Sequence, residues 1–289
     1  MTSGSAAGTA TLQASAPGLP KAPTGIRGFD AITAGGLPRG RPTLVTGSTG
    51  TGKTLFAMEF LIRGILEYGE PGVLLAFEET ADDLKANVAS LGFDLNALVA
   101  SNQLKLESCV IRSSEIVMVG DFDLEPLFVR LEAAVDQIGA KRVVLDSIEV
   151  LLGLYRDEAV VRGELARLFA WLKQRGLTTV ITGERGRQGE LTRYGFEEYV
   201  SDCVIALDQR IQEEVSTRRL RLVKYRGSPH GTNEYPFLIT HRGFMVLPIT
   251  MVGLHHNASE ERVSTGIEGL DRMLGGGIFR GSTLLVTGT

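Results

Sequence analysis

Four short, largely apolar runs punctuate the chain: Thr43–Thr46, Gly72–Phe77, Arg142–Asp146 and Thr178–Thr182. Runs of this kind predict parallel strands covered on both faces. Between them the apolar positions fall three and four residues apart. Lys53–Tyr68 carries Phe56, Phe60 and Ile65 at helical spacing, Leu124–Ile138 carries Leu127, Leu131, Val135 and Ile138, and Glu158–Lys173 carries Leu165, Phe169 and Leu172. A further helix is expected to begin near Thr80, because Thr80-Ala-Asp-Asp83 approximates a capping box with acids at the positive end of the helix dipole. Strand and helix in alternation predict an α/β fold, a mostly parallel sheet with helices on both faces. Downstream the pattern changes: Val204–Leu207, Arg219–Tyr225, Phe237–Ile239 and Phe244–Leu247 read as strands joined by turns, an antiparallel extension of the sheet.

The chain repeats itself. Thr24–Ser48 and Thr265–Thr289 align without a gap at an offset of 241 residues, matching Gly25 with Gly266, Asp30 with Asp271, Arg39 with Arg280, Gly40 with Gly281 and Gly47 with Gly288. A period this long is a duplicated domain rather than a solenoid unit. The expected organisation is a tail over 1–23, a complete domain over 24–248, a linker over 249–264 and the truncated start of a second domain over 265–289. The tail consists mostly of Ala, Gly, Ser, Thr and Pro, too little apolar surface to fold. The last residues, Leu284–Thr289, read as a strand entering a phosphate loop without its Lys, so the sequence is expected to be a fragment of a longer protein.

Charge and cysteine narrow the class. A net charge of −4 argues against a dedicated nucleic-acid binder, whose footprint is a basic patch. No apolar stretch reaches the length of a membrane span, and the N-terminus has no secretory pattern. Cys109 and Cys203 are not spaced for zinc, and Cys203 falls in an apolar run that predicts a buried thiol; both fit a reducing cytoplasm. Trp171 reads as core, and His255 and His256, without supporting ligands, as linker.

The chemistry begins at Gly47-Ser48-Thr49-Gly50-Thr51-Gly52-Lys53-Thr54, a complete phosphate-loop motif between a strand and a helix. Its glycines let backbone N–H groups turn toward phosphates at a helix N-terminus. Lys53 is expected to reach the β- and γ-phosphates of ATP, and Thr54 to hold Mg²⁺. Asp146, ending an apolar strand, is the second expected Mg²⁺ ligand. Glu78 and Glu79 end the Gly72–Phe77 strand, where ligands of such sheets bind, and are the candidates to orient or deprotonate a water. Lys224 and Arg226 alternate on one strand face; they read either as a charged sheet edge or as cations reaching a neighbour's γ-phosphate.

These stretches, with Arg193-Tyr-Gly-Phe-Glu-Glu-Tyr-Val-Ser-Asp202 and Lys224-Tyr-Arg-Gly-Ser-Pro-His230, resemble the KaiC family of circadian-clock ATPases: its whole first domain and the opening of its second. The resemblance implies a RecA-like fold and a homohexameric ring with ATP between subunits. It implies that Gly50 to Leu55 and Ser90 contact the nucleotide, and that Glu78 and Glu79 are the paired catalytic glutamates. It also implies that Lys224, Tyr225, Arg226, Ser228, His230, Thr240 and His241 contact the neighbour's nucleotide. Ser228 stands where the family usually has Thr, and His241 where it usually has Asp. Glu115–Val129 resembles the region near which the family docks its partner KaiB, and the family's serine/threonine autokinase activity resides in the second domain. Two alternatives compete. A DNA-dependent ATPase of the RecA or DnaB kind needs basic loops, for which the candidates Arg185, Arg187 and Arg193 in Glu184–Gly195 are partly offset by Glu184 and Glu190. A scaffold that uses ATP only to assemble would have no need of the full Lys, Asp and double-Glu set.

Overall fold

In a computed structural model, which describes residues 18–109, 124–153, 155, 157–186, 190–195, 197–248 and 259–288, the strand-like runs join one sheet. The chain divides into two units, Met1–Ile249 and Thr250–Thr289. The first opens with β1 (Lys21–Ala22), α1 (Phe29–Ile32) and β2 (Leu37–Pro38), β1 pairing antiparallel with β2. Then follow β3 (Pro42–Gly47), α2 (Lys53–Tyr68), β4 (Gly72–Ala76), α3 (Ala81–Ala89), α4 (Leu95–Ala100), β5 (Leu104–Ser108), α5 (Glu125–Ile138), β6 (Arg142–Asp146), α6 (Ile148–Leu152), α7 (Glu158–Gln174), β7 (Thr178–Glu184), α8 (Glu197–Val200), β8 (Cys203–Gln212), β9 (Val215–Tyr225), β10 (Glu234–Thr240) and β11 (Gly243–Val246).

The sheet order is β11-β10-β9-β8-β3-β7-β6-β4-β5. From β8 to β5 every pairing is parallel; β9, β10 and β11 are added antiparallel. This is the expected α/β architecture. Every residue of β3, β4 and β6 is buried, as strands covered on both faces require. One core packs α2, α3 and α4 on the first face through Phe56, Phe60, Leu84 and Leu98; the other packs α5 and α7 on the second through Leu131, Leu165 and Leu172. Trp171 packs at the edge of the second core, 5.8 Å from Phe128 between ring centres, and Cys203 is buried. Among the described residues no helix is long and apolar enough to cross a membrane.

Two boundaries are corrected. The expected tail ended at Pro23, yet Lys21–Ala22 is strand: Ala22 is fully buried, and Lys21 Nζ donates to the Thr33 carbonyl at 2.5 Å and to Ser228 Oγ at 2.8 Å. Residues 1–17 lie outside the described residues. The expected linker reached 264, yet in the second unit β12 (Arg262–Val263) pairs with β13 (Ile278–Phe279) around α9 (Glu268–Met273). These elements repeat β1, α1 and β2 at the same offset of 241, so the structural repeat starts three residues before the sequence repeat. Its cause is shared bonding. Asp30 accepts from the backbone N and Oγ1 of Thr24, as Asp271 does from Thr265. Arg262 donates to the Leu274 carbonyl, the counterpart of Thr33. A Cβ on Gly36 or Gly277 would stand 2.1 or 2.2 Å from the carbonyl oxygen of Ala22 or Val263, so both positions need glycine.

The first unit is pinned by Arg142 at the start of β6. Its guanidinium is fully buried and donates to Glu70 Oε2 at 2.7 Å, to the Phe60 carbonyl at 2.8 Å and to the Pro23 carbonyl at 2.8 Å. Burial would raise the Glu70 carboxyl, but bonds from Arg39 and Arg142 outweigh it and hold it below the usual range. Removing one partner of a buried pair strands the other's charge, so Glu70→Ala is expected to cost about 3 kcal/mol of unfolding free energy. Urea unfolding followed by the fluorescence of Trp171 checks this.

Candidate nucleotide-binding and catalytic site

The phosphate loop leaves the carboxyl end of β3 at Gly47 and enters α2 at Lys53. Two of its residues need glycine for their backbone: Gly50 has φ 79° and Gly52 φ 99°, both left-handed. Gly52 is the N-cap of α2 and offers no side chain, so the first amides of the helix stay open to an anion, aided by the helix dipole. The loop is braced from within. Thr51 Oγ1 donates to the Ser48 carbonyl at 2.8 Å, and Lys53 Nζ donates to the carbonyls of Gly47 at 2.8 Å and Ser48 at 3.2 Å.

A cleft of 420 Å³ opens over this loop, and the ends of β4, β6 and β7 close it. Thr49, Gly50, Gly52, Lys53, Thr54 and Leu55 line one side; Glu78, Glu79, Asp146, Ser147 and Glu184 line the other, with Met58, Leu84, Asn87 and Val88 beside them. Gly47, Ser48 and Thr51 build the loop without lining the cleft. Asp146 was expected beside the loop. Strand β7 stands between β3 and β6, which sets Asp146 about 10 Å across the sheet from the loop strand. Thr182 donates to its Oδ1, leaving Oδ2 without a protein partner among the described residues. No cluster of three or more His, Cys, Asp or Glu among the described residues could hold a metal alone. A cation here would be shared between Thr54, Asp146 and the ligand's own oxygens, which suits Mg²⁺.

The two glutamates are held differently. Glu78 Oε1 accepts from Ser147 Oγ at 2.9 Å, whereas Glu79 accepts from Asn87 Nδ2 at 2.8 Å. Burial first, and then the negative charge of Asp146, push the Glu79 carboxyl up. As expected, Thr80 caps the next helix, accepting from the Asp83 amide at 3.2 Å. Ser90 sits at the C-cap of α3, exposed, with its hydroxyl on the Asn87 carbonyl; it does not line the cleft.

The segment expected to meet a neighbour's nucleotide is split. Lys224 and Arg226 lean together over α8, both donating to the Tyr199 carbonyl, at 3.1 and 3.2 Å. Lys224 stands opposite Val204, which pairs with Leu44, three residues before Gly47. These cations therefore lie at the far end of the sheet from the loop, about 10 Å along the strands and two strands aside. Ser228, held by Lys21, and His230, 6.5 Å from the Tyr225 ring, lie with them. Tyr225 turns the other way: its side chain is buried and its hydroxyl donates to the Gly36 carbonyl at 2.8 Å, leaving only its backbone for a ligand. Thr240 and His241 close the β10–β11 turn at the opposite end, the loop's own. The adjacent Ile239 Cδ1 lies 2.8 Å from where a Gly52 Cβ would stand.

The family model "ATPase: KaiC" matches residues 22–251. The chain belongs to the KaiC ATPase family. A circadian clock protein KaiC2 of Synechocystis sp. is 59% identical over 271 residues, which cover 93% of this chain and 48% of the relative. Circadian clock oscillator proteins KaiC of Parathermosynechococcus lividus and Synechococcus elongatus are 46% and 45% identical, over 94% and 93% of this chain and 50% and 52% of theirs. The chain thus spans about half the length of these KaiC relatives.

Sequence reasoning missed three side chains of this KaiC-family site. Thr182 holds Asp146, Ser147 holds Glu78, and Glu149 on α6 lies behind them, 5% exposed. Glu149 Oε2 accepts from Ser147 Oγ at 3.1 Å, and its Oε1 accepts from the Glu184 amide. The one signal for it was its place three residues after Asp146. Burial pushes the Glu149 carboxyl up to about 7, against a partial lowering by these bonds. A carboxyl raised on folding stabilises the protein fully below its unfolded pKa of 4.5, and that stability is lost as pH rises through about 7. The loss is about 3 kcal/mol. Glu149→Gln, neutral throughout, should gain that much on wild type between about pH 4.5 and 8, as urea unfolding across the range would measure.

Proposed function

We propose that this chain binds ATP with Mg²⁺ in the cleft over β3, β4 and β6 and hydrolyses it, the site being completed by a second copy in a homohexameric ring. The observation that carries this is the charge of the cleft. Among the described residues lining it, Lys53 is the one cation, against the carboxylates Glu78, Glu79, Asp146 and Glu184. A triphosphate added to such a site needs positive charge from elsewhere. Thr54 and Asp146 would hold Mg²⁺, which neutralises charge on the phosphate oxygens. Lys224 and Arg226, at the far end of the same sheet, are out of reach of their own loop and suited to a neighbour's.

In this reading Lys53 leaves the loop carbonyls for the β- and γ-phosphates, and Glu78 and Glu79 orient the attacking water and take its proton. The loop amides and the start of α2 hold the phosphates. Clock timing, autokinase activity of the longer protein, a KaiB-like partner and a cytoplasmic location are proposed with it, from the names of the relatives, the family resemblance and the free thiols Cys109 and Cys203. Of the expected KaiB-docking stretch Glu115–Val129, residues 115–123 lie outside the described residues. The DNA-dependent alternative is weakened by Arg185, which pairs with Asp208 at 3.2 Å; Arg187 lies outside the described residues.

Glu78→Gln with Glu79→Gln should lower phosphate release by about 10³-fold while leaving ATP binding intact; release at the wild-type rate would remove the assignment. Arg226→Ala should lower turnover by about 100-fold or more and weaken assembly, read by phosphate release and light scattering. A variant with normal turnover and normal mass would exclude the neighbour's cation.

A further inference from the structure

In the wall of the cleft, one hydroxyl serves two carboxylates. Ser147 Oγ lies 2.9 Å from Glu78 Oε1 and 3.1 Å from Glu149 Oε2. A serine hydroxyl has a single proton to donate. With both carboxylates ionised, one O···O contact would bring a lone pair against a negative charge. A second proton on the Glu78–Ser147–Glu149 chain removes that repulsion. The chain runs inward: Glu78 is exposed at the cleft, Ser147 is 7% exposed and Glu149 5%. Glu149 Oε1 in turn accepts from the Glu184 amide. Gly183 makes the room, since a Cβ there would stand 3.0 Å from Glu149 Oε1. The charged and titratable groups facing Glu149 among the described residues are Glu184 on β7, Glu197 on α8, Tyr194 before it and Glu78 across Ser147.

We infer that Glu149 is the buried proton store of the reaction, a positioning residue that takes up through Ser147 the proton Glu78 removes from water. This rests on the hydrolytic reading of the cleft. Water loses a proton to Glu78 as its oxygen bonds to phosphorus. Glu78 passes that proton to Ser147 Oγ, and Ser147 passes its own to Glu149 Oε2, so Ser147 ends neutral and Glu78 ends ionised. The store empties by the reverse path to the released phosphate or to water. Glu78 is thereby reset as a base, and an ionised Glu149 is required to begin.

The test is ATP turnover of the 289-residue chain from about pH 5.5 to 8.5, in wild type and Glu149→Gln, with infrared titration of the carboxyl groups of each chain alone. Wild-type turnover should rise about tenfold through an inflection near pH 7, at unchanged KM, and Glu149→Gln should be flat and about tenfold slower at high pH. Wild type should also show a buried carboxylic-acid band that disappears near pH 7, absent from Glu149→Gln. An active Glu149→Gln chain with the wild-type profile overturns the relay alone. So does a wild-type chain without the titrating band, a measurement that stands even if the variant fails to fold. A wild-type chain that shows the band but hydrolyses no ATP at any pH overturns the hydrolytic reading, and the relay with it.

Discussion

The buried guanidinium of Arg142 is the point from which the rest of the first unit is positioned. It joins β6 to α2 through the Phe60 carbonyl, to the segment after β1 through the Pro23 carbonyl, and to the turn before β4 through Glu70. It also lies 4.6 Å from the Phe60 ring centre, and Gly64 has no side chain because a Cβ would come within 2.3 Å of the guanidinium. A charge this dry is tolerated only when every donor is satisfied. The opposite end of the same strand carries Asp146 and leads into Ser147. Fixing one end of β6 thereby sets the depth at which the site's carboxylates stand relative to α2 and its phosphate loop.

Parallel pairing does the rest. In the register of β3, β7, β6 and β4, all carboxyl ends open on one side, so the loop glycines, Asp146 and the Glu78–Glu79 pair share a cleft although they are distant in sequence. The intervening β7 keeps Asp146 a strand away from the loop strand, leaving the cleft open between them. The antiparallel β9 reverses direction, and so carries Lys224 and Arg226 to the other end. One sheet thus separates its acids and phosphate loop from Lys224 and Arg226.

The same geometry explains what the sequence disclosed. Helix α2 and strand β6 were legible to the residue, because Gly52, Gly69 and Asp146 mark their limits. Strand β5 escaped notice: Leu-Lys-Leu-Glu-Ser alternates polar and apolar residues at the sheet edge, where one side is half-exposed. Helices α4 and α6 are too short for a helical period to emerge. Strand β1 looked like tail, since Pro20 and Pro23 flank it and what holds it, its pairing with β2 and the bonds of Lys21 to Thr33 and Ser228, is distant in sequence. The repeat was visible as matched glycines, while its true start at Lys21 and Arg262 was hidden by the change from Lys to Arg, two side chains that donate to the same place.

By itself the sequence determined the local chemistry: a phosphate loop whose left-handed glycines and following helix are consecutive residues, the acids at strand ends, and the order of strands and helices. Such features depend on backbone conformation and short-range period, which neighbouring residues set. The tertiary structure alone decided that Ser147 is shared by Glu78 and Glu149, that Tyr225 is core while Lys224 and Arg226 beside it lean over α8, and that Thr240 lies at one end of the sheet and Lys224 at the other. These depend on strand order and direction, which bring together residues far apart in the chain, and on burial, which raises a carboxyl such as Glu149 that in sequence looks like any helical glutamate.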